Sequence, residues 1–314
     1  MTAVRNPELS RTMRWVFRVE LSRTMRWVFR VLVLALALIA SPALGQDIEP
    51  RAYSNAPIGI NFLGVGYAEA QSTRYRTGSE ILGYSHVFAL AGQSARIDVV
   101  VPYAQMTGTA PVGSQSVTRA TEGLTDPLLR LAVNLYGAPA LNLEEFASYQ
   151  QDLIIGASLK ASVPWGNYDS RQLVNIGANR WFVQPAIGAS QAIGPWKLEL
   201  ATAVTLFTDN KDFFGGNTRS QDPLYSTEGH IIYGFKSGAW LSMDVTYLTG
   251  GQSSINGRLN NDLQENWRFG ATLAIPVNRN NSIKLYASQG VFSRTGNGYD
   301  LFGIAWQYRW GAGL

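Results

Sequence analysis

Few side chains in this sequence have the types and spacing that catalysis or metal binding requires. The 314 residues contain no cysteine and two histidines, His86 and His230, which are far apart in the chain. A serine hydrolase needs a serine, a histidine and an orienting carboxylate within hydrogen-bond reach, and the Gly-x-Ser-x-Gly turn that often carries the nucleophile does not occur in the sequence. Two separated histidines without cysteine also make a poor ligand set for zinc. The sequence therefore predicts no enzyme, no catalytic residue, no metal site and no cofactor.

Oxygen ligands and aromatic rings are concentrated in one loop, residues 209–217, which reads DNKDFFGGN. Its carboxylates are of the type that binds Ca²⁺, but their spacing differs from that of an EF-hand loop. We therefore expect an ordered turn at the rim of a larger structure, where its aromatic rings can capture a solute. The candidate mouth residues in this loop are Asp209, Asn210, Asp212, Phe213 and Phe214.

The elements that position these residues are a series of short segments in which apolar and polar residues alternate. Between Asp152 and Trp165 the odd-numbered positions are apolar, whereas the even-numbered ones include Ser158 and Lys160. Since neighbouring side chains of a β-strand point to opposite faces, each segment predicts a strand with one apolar and one polar face. We expect strands near 57–69, 80–91, 94–105, 123–136, 151–165, 179–192, 196–208, 225–237, 239–250, 264–277, 281–292 and 299–310.

Two architectures fit such strands. A soluble β-sandwich buries the apolar faces against each other, whereas an exported chain can turn them to lipid and close the sheet into a barrel. In a soluble protein the polar face meets water and should be rich in charge, but here it consists mainly of Ser, Thr, Gly and Gln. Trp and Tyr also gather at strand ends, as in the aromatic girdles of membrane barrels. The sequence thus favours an all-β fold, a transmembrane antiparallel up-and-down β-barrel of about 12 strands over residues 57–314, with the lipid bilayer as its partner.

The connections between the expected strands alternate in length. Short turns are expected at 91–94, 193–195, 237–238 and 278–281, and long polar loops near 70–79, 106–122, 166–178, 209–224, 251–263 and 293–298. Short periplasmic turns opposite longer outer loops are typical of outer-membrane barrels. One connection, 137–150, falls on the short-turn side but is long, and a short amphipathic helix and a polar linker both fit its sequence.

Residues 1–45 have the features of an export signal. A basic stretch precedes an apolar run, Val31 to Ala40, and small residues suited to a cleavage site follow. The run is too short for a membrane-spanning helix, although an N-terminal membrane anchor is the alternative. We expect cleavage after Gly45, export to the outer membrane, and a short mature N-terminal segment, 46–56, that is too small for a plug domain.

The leader has two further peculiarities. Residues 8–19 recur unchanged as residues 20–31, so the signal peptide is either duplicated or begins at Met25. The leader also contains seven of the 26 basic and two of the 22 acidic residues, which leaves 19 basic and 20 acidic residues in the mature chain. The basic pI of the whole sequence therefore comes mainly from the leader, and nucleic acid is not an expected partner.

Charged residues on the polar faces of the strands are the clearest functional signal. Mixed basic and acidic groups around a lumen create a transverse field that can filter solutes, but they can also pair and close the lumen. His230 alternates with Glu228 and Ile232, so we expect it to be a hydrogen-bonding group in the lumen. The candidate lumen residues are Arg96, Asp98, Arg130, Asp152, Lys160, Lys197, Glu199, Lys236, Asp244, Arg268, Lys284 and Arg309.

Several ordered blocks of the chain resemble one known family. The blocks are RAYSNAPIGINFL (51–63), NLYGAPAL (134–141), NIGANRW (175–181), LFTDN (206–210) with DF (212–213), and WQYRWG (306–311). Together they are similar to the family named for the meta pathway of phenol degradation, whose members are often labelled transporters. The resemblance covers nearly all of 51–314. It implies a Gram-negative outer-membrane β-barrel that passes hydrophobic or aromatic compounds, and it supplies no catalytic residues.

The C-terminus departs from a typical outer-membrane barrel, because the chain ends in Gly311-Ala312-Gly313-Leu314 and not on an aromatic residue. We expect Trp310 to take the part of the terminal aromatic that the outer-membrane assembly machinery recognises. Our interpretation is a monomeric, porin-like transporter for passive uptake of small solutes, aromatic or hydrophobic ones among them. The alternatives are a structural or adhesive outer-membrane barrel with a closed lumen, and a soluble periplasmic β-protein.

Overall fold

The computed structural model of the chain describes residues 49–72, 75–112, 115–172, 174–293 and 298–314, with the backbone alone for the described part of 109–119. The expected leader, 1–45, the first residues of the segment 46–56 and most of the expected loop at 293–298 lie outside the described residues.

The described residues form seventeen strands and one short helix. In chain order they are β1 (Ile60–Ser72), β2 (Tyr75–Leu90), β3 (Gln93–Val112), β4 (Gln115–Leu124), β5 (Leu128–Tyr136), α1 (Leu143–Phe146), β6 (Leu153–Ser162), β7 (Phe182–Ile193), β8 (Trp196–Phe207), β9 (Asn210–Phe213), β10 (Asn217–Gln221), β11 (Leu224–Gly234), β12 (Trp240–Gly250), β13 (Ser253–Ile255), β14 (Arg258–Leu259), β15 (Gln264–Pro276), β16 (Asn281–Ser293) and β17 (Tyr299–Gly311).

Twelve of these strands close into an antiparallel barrel, as the alternation predicts. Around the wall the order is β2-β1-β17-β16-β15-β12-β11-β8-β7-β6-β5-β3, and pairing of β2 with β3 completes the circle. The first and last strands are joined along their whole length, from Ile60 opposite Gly311 to Ser72 opposite Tyr299. A closed wall leaves no unpaired strand edge, because each of its strands pairs with a neighbour on both sides.

The outer face of the barrel is apolar. On β8, for example, Leu198 and Leu200 are exposed, while the alternate residues Glu199, Ala201 and Ala203 are buried. The same rule turns large side chains outward on many other strands, among them Val65, Leu82, Leu131, Ile187, Ile231, Met243, Phe269 and Ile304. A continuous apolar belt of this kind would be a liability in water and is the surface that lipid requires.

Aromatic rings mark both ends of the belt. Trp196 and Tyr233 lie 4.8 Å apart by ring centroid near the short turns, and Tyr247 and Trp267 lie 4.7 Å apart towards the long loops. Such amphipathic rings prefer the headgroup level of a bilayer. The short turns and the two chain ends of the barrel share one end, which we call the periplasmic end, and the long loops form the outer mouth. None of the helices in the described part of the chain is long and apolar enough to span a membrane.

The long outer loops contain more strand than the sequence predicts. β3 and β4 continue beyond the wall as a hairpin, and the strand expected over 123–136 is interrupted between Leu124 and Leu128, where Pro127 cannot donate to a ladder. β9, β10, β13 and β14 form a separate four-stranded sheet above the barrel, in the order β14-β13-β10-β9. These strands have two to five residues, too few to show a period of two in the sequence.

The long periplasmic connection is built around one helical turn, α1. Its N-cap is Asn142, whose side chain accepts a hydrogen bond from the backbone of Glu145, while the Glu145 carboxylate accepts one from the backbone of Asn142. This reciprocal capping box stabilises the start of a very short helix. Of the two alternatives for 137–150, the structure therefore contains a short helix.

Candidate functional site

The inner wall of the barrel has an acidic sector on three consecutive strands. Glu199 on β8, Glu228 on β11 and Asp244 on β12 point inward, and His230 lies among them. Nδ1 of His230 is 2.8 Å from Oδ1 of Asp244. The two histidines of the chain are therefore not brought together, because His86 lies on β2, next to Asn61. In the described part of the chain, no group of three His, Asp or Glu side chains could hold a metal ion.

Basic side chains line the flanks of this acidic sector. On one side Arg96 and Arg130 share Asp98, with N···O distances of 2.8 Å and 3.7 Å. On the other side Arg268 donates to Ser288 Oγ at 2.7 Å and lies over the ring of Tyr299. The lumen thus carries both signs of charge, and mixed charges around a lumen produce a transverse field.

The sector opposite the acidic one is apolar and built from small residues. β1 lies six strands from β8 in either direction around the wall, and it turns Gly64, Gly66 and Ala68 inward. Its neighbour β17 contributes Gly303, where an added Cβ would lie 2.2 Å from the ring of Tyr286. A tyrosine ring therefore lies flat against the wall, and this side of the lumen offers carbon surface to a solute.

The N-terminal segment, residues 49–59, enters the lumen at its periplasmic end. The backbone N–H of Arg51 donates to Glu199 Oε2 at 2.7 Å, and the Glu49 carboxylate lies 3.0 Å from Lys284 Nζ. The segment therefore presents its acid to the basic flank and its Arg51 backbone to the acidic sector. Lys284 lowers the pKa of Glu49, with burial opposing, whereas burial lowers the pKa of Arg51 and Glu199 opposes that shift.

Tyr53 anchors this segment to the wall. Its side chain is 4% exposed, and its ring rests on Gly156 of β6 and Gly188 of β7, which lie directly opposite each other in the sheet. An added Cβ at either glycine would lie 2.4 Å from the ring. The guanidinium of Arg130 lies 5.6 Å from the ring centroid. Since neither glycine has a side chain, the ring of Tyr53 fits against the wall there, and a side chain at either glycine would displace it.

The outer mouth holds a second cluster, which combines two arginines with aromatic rings. The guanidinium of Arg180 lies 4.5 Å from the ring centroid of Phe207 and donates to Gln221 Oε1. Phe182 meets Phe207 edge to face at 6.3 Å. Arg219 lies 5.7 Å from the ring centroid of Phe213. Burial lowers the pKa of Arg180 to about 10, and the neighbouring charge of Arg219 adds to this effect.

The expected mouth loop, 209–217, is an ordered part of this end. Asn210 is buried, donates to Tyr168 Oη at 2.9 Å and to Ala178 O at 3.1 Å, and so ties two loops together. Phe213 is also buried, whereas Phe214 is exposed. The two acids of the loop, Asp209 and Asp212, are exposed.

Most candidate lumen residues lie on the inner wall, and four lie at the periplasmic rim. The inward residues are Arg96, Asp98, Arg130, Lys160, Glu199, Asp244, Arg268 and Lys284. At the rim, Asp152 precedes β6 and accepts from Gln191, and Lys197 donates to Gln151. Lys236 lies in a turn, because β11 ends at Gly234, and Arg309 donates to the carbonyl of Arg279. Parity along the chain is correct for these four, but they lie at or just beyond the periplasmic ends of their strands.

Several residues of the two clusters do not appear among the sequence-based candidates. Arg180 lies two residues before β7 and has the same even-numbered parity as the buried Gln184, so the sequence pattern could have identified it. Arg219 lies on the short strand β10, and Tyr53 lies before the first strand, so neither belongs to an alternating segment. Only the folded chain brings these residues to the lumen.

Comparison with known proteins agrees with this architecture. The family described as "Putative MetA-pathway of phenol degradation" matches residues 63–308. A comparison with curated protein sequences gave no match. The COG4313 outer membrane channel from Pseudomonas putida F1 is similar, with a TM-score of 0.71 and 20% identity over 84% of this chain and 100% of that chain.

Two further solved structures are more distant. The KdgM porin has a TM-score of 0.43 and 11% identity over 78% of this chain and 98% of that chain. The transport unit of the autotransporter AIDA-I from Escherichia coli has a TM-score of 0.48 and 9% identity over 89% of this chain and 96% of that chain. The TM-score of 0.71 identifies the fold as the β-barrel of an outer-membrane channel, as the alternation along the chain predicts.

Proposed function

The chain belongs to the family described as the MetA pathway of phenol degradation, and from that premise we propose that it is a passive outer-membrane channel for small solutes that combine an apolar ring with a polar group. The observation that carries the proposal is the contrast between the two sides of the lumen. Gly64, Gly66 and Gly303 line one side. Glu228, His230 and the Asp244 carboxylate that contacts His230 line the other. A solute with two unlike faces can keep both in contact with a suitable wall.

Transport through such a lumen requires no energy source and no covalent step. A ring that slides along the small-residue sector loses little contact with carbon, because glycine and alanine leave room beside the wall. Its hydroxyl or other polar group can exchange hydrogen bonds with His230 or with Ser242 and Thr272, which both donate to Asp244. Each step replaces one hydrogen bond by another, so the solute is not trapped at a single site.

The N-terminal segment limits the width of the lumen at its periplasmic end. Tyr53 and the ion pair of Glu49 with Lys284 occupy the periplasmic end of the lumen. The Glu49 side chain is 71% exposed although the wall surrounds it, so it stands in the open part of the lumen. We propose that the segment narrows the channel, and that the mature chain starts near it after cleavage behind Gly45.

A structural barrel with a closed lumen is the second candidate. It is favoured by the ion pair of Glu49 with Lys284, since a segment held inside the lumen can fill it. The two candidates differ in one measurable property, the passage of ions through the folded barrel.

Ion conductance of the refolded mature chain, residues 46–314, in a planar bilayer tests the proposal. Folding is first verified by the shift in gel mobility between heated and unheated samples. We expect discrete conductance steps, which phenol and benzyl alcohol reduce in a concentration-dependent way. Silence from a verified barrel would overturn the channel and favour the structural role. Conductance steps that no aromatic solute reduces would support a channel but contradict the proposed class of solute.

A further inference from the structure

We propose that Arg180 and Arg219, together with the rings of Phe182, Phe207 and Phe213, form a binding site at the outer mouth for a small aromatic carboxylate. The inference deepens the proposed function, on which it rests, because it names the class of solute that the mouth selects.

The two arginines hold positive charge without an acid in contact. Among the described residues, no carboxylate oxygen lies within 4.0 Å of the guanidinium of Arg180 or Arg219. The acids that act on Arg180 from a distance are Asp209 and Asp126, and Asp126 is occupied by the backbone N–H groups of two other loop residues. Two neighbouring cations without a close counter-ion favour an anion between them.

Arg180 also has a donor to spare. One Nη atom donates to Gln221, whereas Nη1 is buried and has no hydrogen-bond partner. A buried guanidinium donor without a partner costs free energy that an incoming oxygen atom would recover. The planar guanidinium presents paired N–H groups in the geometry that a carboxylate accepts, which a spherical anion cannot match as well.

The aromatic rings explain why the anion should carry a ring of its own. Phe182 and Phe207 belong to the inward-facing parity of β7 and β8, and both are half-buried at the mouth. Arg180 covers part of Phe207 and Phe182 meets it edge to face, and both rings stay partly exposed. A ligand ring next to these groups gains aromatic contact while its carboxylate reaches the arginines. A neutral phenol would leave both charges uncompensated.

Binding to the detergent-solubilised, heat-modifiable barrel of residues 46–314 tests the inference by titration calorimetry. The probe is benzoate, and the comparison compounds are acetate, which has the charge without the ring, and benzyl alcohol, which has the ring without the charge. We expect saturable binding of benzoate and at least about tenfold weaker binding of both others, since each lacks one of the two contacts. Equal affinity for acetate would overturn the aromatic part, and absence of benzoate binding would overturn the site.

Substitutions then assign the site to the named arginines. We expect Arg180→Gln to weaken benzoate binding by about tenfold or more, because it removes a charged donor, and Arg180→Lys to restore part of the loss. The matched control is Arg171→Gln in the same loop, because Arg171 is exposed and paired with Asp169 at 2.9 Å. Unchanged affinity in Arg180→Gln and Arg219→Gln, or equal loss in Arg171→Gln, would contradict the proposal.

The calorimetric result is independent of the channel proposal. Benzoate binding by a barrel that does not conduct would contradict the channel proposal and support the binding site. Conductance without benzoate binding would contradict the binding site and support the channel.

Discussion

The two ends of the barrel differ in whether their charged side chains have oppositely charged partners. At the periplasmic end each inward charge that we describe has an oppositely charged or hydrogen-bonding partner, as in the pairs Arg96–Asp98 and Lys284–Glu49. At the outer mouth Arg180 and Arg219 lie against phenylalanine rings and an amide oxygen, with no acid in contact among the described residues. The difference indicates a division of labour, in which the paired end holds a segment in place and the unpaired end is available to a ligand.

The paired end depends on shape more than on charge. Tyr53 is buried on two glycines, whereas the Glu49 side chain, which makes the ion pair, is 71% exposed. An exposed ion pair contributes at most about 1 kcal/mol, because water and salt screen it. A buried aromatic ring is worth several times more. We therefore expect the largest effect at Tyr53 and the smallest at Glu49.

Tyr53→Ala should have the largest effect. Loss of a buried aromatic ring of this size costs about 3 kcal/mol, so the N-terminal segment should leave its place on the wall. We expect a clear increase in single-channel conductance. Tyr53→Phe is the control, because it keeps the ring and loses only the long 3.4 Å contact with Ser158. Equal conductance in Tyr53→Ala and the parent protein would show that the segment does not narrow the lumen.

Asn210→Ala should loosen the outer mouth without opening the periplasmic end. Its side chain makes hydrogen bonds to Tyr168, Ala178, Asn179 and the backbone of Asp212. Removing a buried amide with several partners costs roughly 2 kcal/mol. We expect faster proteolysis within 163–181 and 208–223 of the folded barrel.

The exposed neighbour Asp209 offers a control for this loop, and Asp209→Ala should leave proteolysis unchanged. Deletion of 209–217 is the stronger variant, and we expect it to alter solute flux if the loop gates the mouth. Unchanged flux in the deletion would show that the loop has no gating role.

Phe207→Leu should weaken the mouth site while keeping its apolar volume. The change removes the ring under Arg180 and the edge-to-face contact with Phe182. Each of these contacts is worth about 1 kcal/mol, so we expect benzoate affinity to fall by roughly fivefold. Leu206→Ala, an outward-facing change on the same strand, is the comparison. A larger effect in Leu206→Ala would indicate general loosening of β8 instead of a lost ligand contact.

Acid should loosen the N-terminal segment slightly. Lys284 lowers the pKa of Glu49 in the docked segment below its ordinary value of 4.5. A lowered pKa means that the ion pair stabilises docking above pH 4.5, and that this contribution disappears as the pH falls through the lowered value. We expect a small rise in conductance below pH 4.5, which Glu49→Gln abolishes. A rise of the same size in Glu49→Gln would assign the titration to another group.

The barrel itself could be predicted from the sequence because the pattern that specifies it lies within each strand. A strand that faces lipid on one side and a polar lumen on the other must alternate, and segments such as 152–165 do so without interruption. The same parity places Arg96, Glu199 and Asp244 on the inner wall. It fails for Lys236, because alternation continues past the last residue that pairs with a neighbour.

The parts that the sequence does not reveal depend on contacts between distant segments. Residues 49–59 occupy the lumen, and no pattern within them marks the glycines that receive Tyr53. The sheet of β9, β10, β13 and β14 likewise exists through pairing between two loops, such as Arg219 opposite Ile255. Alternation within one segment carries no information about either.

The glycine pair under Tyr53 also has a consequence for how this protein can change over generations. Neither Gly156 nor Gly188 has a positive φ angle, so the backbone would accept alanine at both positions. The ring is the nearest obstacle to a side chain at both, at 2.4 Å, and the next atoms are Asn134 Oδ1, 2.9 Å from an added Cβ at Gly156, and Ala201 Cβ, 3.1 Å from one at Gly188. While a ring stays at 53, mutations at either glycine are harmful. Once the ring is lost, alanine at these positions requires only small shifts of Asn134 and Ala201, and it gains the strand preference of about 0.5–1 kcal/mol that alanine has over glycine. Substitutions at the three positions therefore depend on each other. After Tyr53 and then either glycine have been replaced, a return to tyrosine at position 53 is unfavourable, because the new side chain occupies the place of the ring.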